Sequence, residues 1–287
     1  MSRVAWQLRT RTLTNRDHTL VMGVVNVTLD SFSDGGRFFD VTEAIAHGRR
    51  LAALGADVVD VGGESTRPGA PAVSAEDELG RVIPVVRALA DDGVVVSADT
   101  AKAEVAAEAV AAGAEIVNDV SALSDPAMPA VVAETGAGLV LMHMKGTPVT
   151  MQDDPQYGDV TAEVRDTLLE RAAFAESFGI DRARICLDPG IGFGKSIDHN
   201  LALLRNLEAL TSTGYPILVG TSRKSFIGKL AGLSNPTDRD AATAGTTALA
   251  VAAGVFCVRV HDVPGNLQSA RVADAIVRSR IFDEVGE

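Results

Sequence analysis

The chain has 287 residues, 46% of them apolar and 22% charged, with 26 Lys and Arg against 38 Asp and Glu for a formal net charge of −12. That balance supports a large buried core and excludes disordered, collagen-like and disulfide-stapled classes. Nucleic acid and anionic membrane surfaces are not expected partners, because sequence-independent binding to either needs a cationic face.

In chain order, residues 1–19 alternate polar and apolar positions without the apolar centre of a signal peptide, and read as a hairpin that plugs the bottom of the main fold. The longest apolar run, 248–258, falls short of the about 18 to 20 residues a membrane span requires, so a cytoplasmic location is expected. The two cysteines, Cys186 and Cys257, lie in apolar runs with neither disulfide-framework nor zinc spacing, which fits a reducing compartment.

From residue 20 short β-rich runs alternate with longer segments of helical period. The predicted strands are 20–25, 57–61, 94–98, 115–119, 138–142, 184–187, 216–219 and 256–260. The predicted helices are 42–54, 75–90, 103–112, 127–134, 160–178, 198–211, 240–253 and 267–280. Gly55, Gly93, Gly113, Gly136, Gly179, Gly214 and Gly254 stand between a helix and the next strand, where a left-handed residue releases the chain. Eight successive units favour closure over an open doubly wound sheet. The expected fold is α/β: a single-domain (β/α)8 TIM barrel over 20–287, with a short N-terminal β-hairpin over 1–19 and no linker dividing the chain.

Residues capable of chemistry belong at the C-terminal strand ends of such a barrel. Asn26, Glu64 to Arg67, Asp99, Asn118, Met142 to Lys145, Asp188 to Lys195, Thr221 to Ser225, Arg259 and His261 all fall there. Asp99, Asn118 and Asp188 offer acceptors and an amide to a flat heterocycle rich in N–H groups, although each alone reads equally well as a helix cap. Lys224 reaches the same pocket as a counter-ion or ring donor. Asn26, Arg67, Arg259 and His261, from strands one, two and eight, suit a phosphate or pyrophosphate, and the Asn26 amide oxygen suits Mg²⁺. Taken singly, His261 is equally a structural hydrogen-bonding residue. The run Gly190-Ile-Gly-Phe-Gly-Lys-Ser196 resembles a Walker A loop, but Pro189 stands where that motif needs its first Gly. The glycines read instead as a loop passing close to a flat ligand, with Phe193 stacking on it or walling its pocket.

The segments GVVNVTLDSFSDGG, DVGGESTRPGA, SADT, NDVSA, MHMKGTP, LDPGIGFGK, GTSRKSFIG and VRVHDV, in this order and over nearly the whole chain, resemble the signatures of the dihydropteroate synthase family. The resemblance implies a cytoplasmic homodimer, a target of sulfonamides, that condenses 6-hydroxymethyl-7,8-dihydropterin pyrophosphate with 4-aminobenzoate to give 7,8-dihydropteroate and pyrophosphate in folate biosynthesis. It implies that Asp99, Asn118, Met142, Asp188 and Lys224 hold the pterin. Asn26 would ligate Mg²⁺ and, with Thr66, Arg67, Arg259 and His261, meet the pyrophosphate. Phe32, Pro68, Phe193 and Ser225 would form the aminobenzoate pocket, and Asp34 with Arg67, Lys224, Arg259 and His261 would serve the chemistry. Leu29 stands where the family usually has Pro, which removes a rigid residue from loop one. The alternatives are a methyltetrahydrofolate-type pterin methyltransferase, a non-catalytic pterin-binding homologue, and a phosphosugar isomerase or aldolase. The first has no need of Arg67, Lys224-Ser225 or Arg259-x-His261, and the last needs a strand lysine, which no predicted strand contains.

Overall fold

The computed structural model describes residues 4–27, 41–65 and 69–278. The chain opens with an antiparallel hairpin, β1 (Ala5–Gln7) and β2 (Thr12–Thr14), in which Trp6 lies opposite Leu13. The next eight strands are β3 (Leu20–Asn26), β4 (Val58–Gly62), β5 (Val96–Asp99), β6 (Ile116–Asp119), β7 (Gly138–Met142), β8 (Ile185–Asp188), β9 (Leu218–Val219) and β10 (Cys257–Val260). All pair in parallel, in the order β8-β7-β6-β5-β4-β3-β10-β9. A bridge between Leu187 and Ile217 joins β8 to the approach of β9 and closes the ring as an eight-stranded α/β barrel. That seam is thin because Pro216 has no N–H to donate; its carbonyl still accepts from Leu187 N at 2.9 Å.

The helices are α1 (Val41–Ala53), α2 (Ala75–Asp91), α3 (Ala103–Ala111), α4 (Met128–Thr135), α5 (Val160–Ser177), α6 (Ile197–Arg205), α7 (Glu208–Thr211), α8 (Ser225–Ala231), α9 (Asp240–Ala252) and α10 (Val263–Arg278). All seven junction glycines take positive φ; Gly136, at φ 68°, is the C-cap of α4. The helix expected over 198–211 divides into α6 and α7, since the Asn206 carboxamide donates to Ala202 O at 2.8 Å and ends the first piece. The last helix starts earlier than the sequence indicates, with Pro264 in its first turn, where its missing N–H costs nothing. Its expected end at Arg280 lies outside the described residues.

Strand periodicity of two sorts the side chains into two layers. On β4, Val59 and Val61 face the helices and join the main core with Val21, Val25, Val85 and Leu89, whereas Val58 faces inward. The inward floor is apolar: Leu20, Met22, Val58, Ile116, Val140, Cys186, Leu218 and Cys257 pack with Phe256. Trp6 and Leu8 of the hairpin segment seal it from below, with Trp6 edge-on to Phe256 at 6.3 Å and its indole N–H donating to Arg184 O at 2.7 Å. One layer higher the inward positions turn polar: Asp60, Ser97, Asp99, Asn118, Asp188 and Arg259. The mouth above an apolar floor is therefore where a ligand meets charge.

Candidate active site

Strand register places the polar layer. Gly62 pairs with Asp99 and Asp99 with Asn118, while Met142 pairs with Asp188 two residues beyond the Val140 that faces Asn118, so all of them stand at the C-terminal ends of their strands. Gly62 leaves room for its neighbour: a Cβ there would lie 3.2 Å from Asp99 Cβ. Arg259 reaches across from β10, with Nε donating to Asp60 Oδ2 at 2.6 Å and Nη2 to Asp99 Oδ2 at 2.7 Å. Asn118 Nδ2 donates to the same Asp60 oxygen at 3.1 Å. Asp60 is fully buried, and its Oδ1 has no hydrogen-bond partner.

Charges so enclosed are displaced from their ordinary values. Burial raises the Asp99 carboxyl, with Arg259 opposing and Asp60 adding. Against the cost of its own burial, Arg259 is held charged by Asp60 and Asp99. Burial also raises Asp188, opposed by Lys224 and by the Gly190 amide, which donates to Asp188 Oδ1 at 2.7 Å. Lys224 is pushed down to about 7 by burial, against the pull of Asp188. Its ammonium donates to Ile191 O and stands 4.3 Å over the half-buried Phe193 ring. Met142 is buried at the end of β7, and Ser225 is exposed at the first position of α8.

On the cationic side, Arg259, expected with Asn26, Arg67 and His261 to meet a phosphate or pyrophosphate, gives its Nε and Nη2 to the two carboxylates of β4 and β5. His261 follows β10 with Nδ1 2.9 Å from Ser222 Oγ, which also accepts from His261 N at 3.1 Å. Asn26 is half-buried at the end of β3, and its carboxamide has no hydrogen-bond partner among the described residues. Phe32, Asp34, Thr66, Arg67 and Pro68, with Leu29, lie outside the described residues. On either side of residues 66–68, Lys102 Nζ donates to Glu64 and, at 2.5 Å, to the buried Glu78, while Glu64 accepts from Val73 N at 3.2 Å.

Three features escape the sequence reading. Asp60 sits inside an apolar strand run, where a lone carboxylate at an inward position was the available signal. Ser222 carries none, being one hydroxyl among several. The third is the join between loops five and six: Gly190 and Gly194, at φ 62° and 60°, would drive a Cβ to 1.9 Å from His143 O and 2.5 Å from Lys145 O. Those glycines accommodate the backbone of loop five rather than a ligand.

A barrel with an apolar floor and mutually bonded, buried or part-buried carboxylates, amide and guanidinium at its C-terminal mouth belongs to the class that binds a flat polar ligand there. The family model of pterin binding enzymes matches residues 22–261, and the chain belongs to this family. Relatives of this chain include proteins named dihydropteroate synthase. The enzyme of Escherichia coli (strain K12) is 45% identical over 264 residues, which are 92% of this chain and 93% of that protein. The structure of Xanthomonas albilineans dihydropteroate synthase with 4-aminobenzoic acid superposes with a TM-score of 0.89 at 47% identity, covering 96% of this chain and 98% of that one. The same organism's enzyme in complex with 7,8-dihydropteroate gives 0.86 at 45% identity, covering 95% and 98%.

Proposed function

We propose that this chain is a dihydropteroate synthase, joining 6-hydroxymethyl-7,8-dihydropterin pyrophosphate to 4-aminobenzoate with release of pyrophosphate. The observation that carries this reading is the bonded group of buried Asp60 and Asn118 with part-buried Asp99 and Arg259 at the mouth of a barrel similar along its length to enzymes of that name. Asp99, Asp188 and the Asn118 carbonyl accept from the pterin's N–H groups, Lys224 donates to a ring acceptor, and Met142 packs beside the ring. Arg259, fixed in place by its two carboxylates, lies against the pterin. The bond from the methylene carbon to the pyrophosphate oxygen breaks first, and positive charge spreads into the electron-rich dihydropterin. The aniline nitrogen then forms its bond to that carbon and loses its proton.

Charge growing on the leaving pyrophosphate is met by His261 and Arg259, and by Asn26, Thr66 and Arg67. Aminobenzoate meets Phe193 with its carboxylate at Ser225, and the family resemblance assigns Phe32, Pro68, Asp34 and Arg67 to the same reacting end of the site. No group of three or more His, Cys, Asp or Glu side chains fit to hold a metal occurs among the described residues. The Asn26 amide suits an ion carried in mainly by the pyrophosphate oxygens and water, as Mg²⁺ is. When bound, Mg²⁺ neutralises the leaving group.

No helix among the described residues is long and apolar enough to cross a membrane, and both cysteines are free and buried, which supports a cytoplasmic enzyme. Exposed Leu249 on α9 with Val272 and Ile276 on the adjoining α10 support a homodimer. The functional reading is tested by supplying the pterin pyrophosphate and Mg²⁺ with and without 4-aminobenzoate. Equal amounts of pyrophosphate and dihydropteroate, both dependent on aminobenzoate, are expected; bound pterin substrate with neither product overturns the reading.

A further inference from the structure

Lys195 closes loop six, yet its side chain turns inward and is only 3% exposed. Its ammonium lies 2.9 Å from His143 Nδ1 and donates to Phe193 O at 2.9 Å and His143 O at 3.3 Å. All three acceptors are neutral, and no carboxylate among the described residues forms an ion pair with it. A buried cation without a counter-ion is costly, and an apolar side chain of the same length would fill the space without that cost. What the ammonium adds is a grip on two loops at once.

The rest of the join runs the same way. Gln152 Nε2 donates to Gly192 O at 2.9 Å and Tyr157 Oη to Gly194 O at 2.8 Å, so three consecutive carbonyls of loop six, Gly192 to Gly194, are each engaged. Gly190 and Gly194 let the two backbones touch. Loop six is thus held from behind by the end of β7 and by loop five, with the Phe193 ring beneath Lys224 on its other side.

We propose that Lys195 is a positioning residue that fixes Phe193 by tying loop six to His143, and thereby sets the enzyme's affinity for the aromatic amine while leaving the pterin site untouched. This inference rests on the functional reading above. The pterin ring residues Asp99, Asn118 and Arg259 belong to other strands and bond among themselves, so loosening loop six leaves them in place. Asp188 and Lys224 are the shared neighbours: Asp188 is bonded to the Gly190 amide at the base of the loop rather than to its tip, and Lys224 is carried by the segment after β9 and meets loop six at Ile191 O and the Phe193 ring.

The proton on Lys195 matters to the grip. Burial, with the Lys224 charge adding and Asp188 opposing, pushes Lys195 down to about 7. Burial, with the Lys195 charge adding, pushes His143 down to about 3, so the ring stays neutral and Nδ1 is able to accept from the ammonium. The charged and titratable groups facing the pair are therefore Lys224 just before α8, Asp188 from β8, Lys145 beyond β7 and Tyr157 before α5.

The test compares wild type with Lys195→Met and Tyr157→Phe. The aminobenzoate KM is measured from pH 6 to 9, where that substrate keeps one negative charge, and the pterin pyrophosphate Kd by calorimetry. Lys195→Met is expected to raise the aminobenzoate KM about tenfold or more, the loss of a charge-assisted hydrogen bond, with the pterin Kd within about twofold. Tyr157→Phe, which removes one hydroxyl, is expected to raise it about threefold, and supplies the reading if Lys195→Met does not fold. The wild-type aminobenzoate KM is expected to rise as pH passes about 7, and that rise to vanish in Lys195→Met. An unchanged aminobenzoate KM, an equal loss of pterin affinity, or a pH rise that survives the substitution each overturns the proposal. Wild type that makes no dihydropteroate instead overturns the functional reading, and this inference with it.

Discussion

Asp60 ties the site together at the level of single residues. Its Oδ2 accepts from both Arg259 and Asn118, and its other oxygen is buried and unpaired, so the guanidinium is oriented at the cost of an unsatisfied atom. Asp60→Asn keeps the shape and removes the charge. We expect about 2 kcal/mol less stability in urea unfolding and a fall of about a hundredfold in kcat/KM, because Arg259 then leans on Asp99 alone. A variant with normal turnover would show that Arg259 needs only Asp99. Lys195 gives a separate prediction with a worked sign. Its folded value of about 7 lies below the ordinary 10.5, so between the two the native chain binds fewer protons than the unfolded chain. Unfolding free energy contributed by this residue therefore rises with pH across that window, and Lys195→Met should flatten the rise between pH 7 and 9.

The informative elements are the loops above the barrel and the hairpin below it. Gly190→Ala should cost about 3 kcal/mol or more, because a positive φ and a backbone oxygen both stand against the new Cβ. Gly93→Ala, also at positive φ but with nothing within 4 Å of a new Cβ, should cost about 1 kcal/mol. Equal losses in urea midpoints would mean that the contact between loops five and six contributes nothing. Beneath the barrel, His18 Nε2 lies 2.8 Å from Asp57 Oδ1, whose other oxygen accepts from Val21 N at 2.8 Å. The hydrogen bond with Asp57, opposed by burial, raises His18 above 6.5. Its contribution is present below the unfolded value of 6.5 and is lost as pH rises through the raised folded value. His18→Gln should remove that decline in thermal unfolding followed from pH 6 to 8.

Over the whole molecule, closure pairs the barrel strands on both sides, so the apolar surface the barrel offers for self-association lies on its outer helices. Leu249, Val272 and Ile276, each more than 60% exposed, supply apolar surface on the outer faces of α9 and α10. Sedimentation should show a dimer that Ile276→Lys converts to monomer with the barrel still folded. A monomeric wild type would remove the homodimer from the proposal. The net charge of −12 bears on the same scale, since an acidic protein must meet an anionic leaving group with locally gathered cations.

The sequence alone determined the architecture and the height of the site. Eight alternating units, junction glycines and polar strand ends arise from local periodicity and turn chemistry, which act over a few residues and so remain visible in one dimension. The inward positions of Asp99, Asn118 and Asp188 were legible for the same reason, each standing at or one residue before the end of a strand. Tertiary structure decided who bonds to whom. Arg259 and Asp60 are 199 residues apart, and Lys195 and His143 are 52 apart, so no local pattern sets the guanidinium on Asp60 or the ammonium on His143. The helix break at Asn206 and the purpose of Gly190 and Gly194 were hidden likewise, since they depend on how close one backbone passes to another once the barrel has closed.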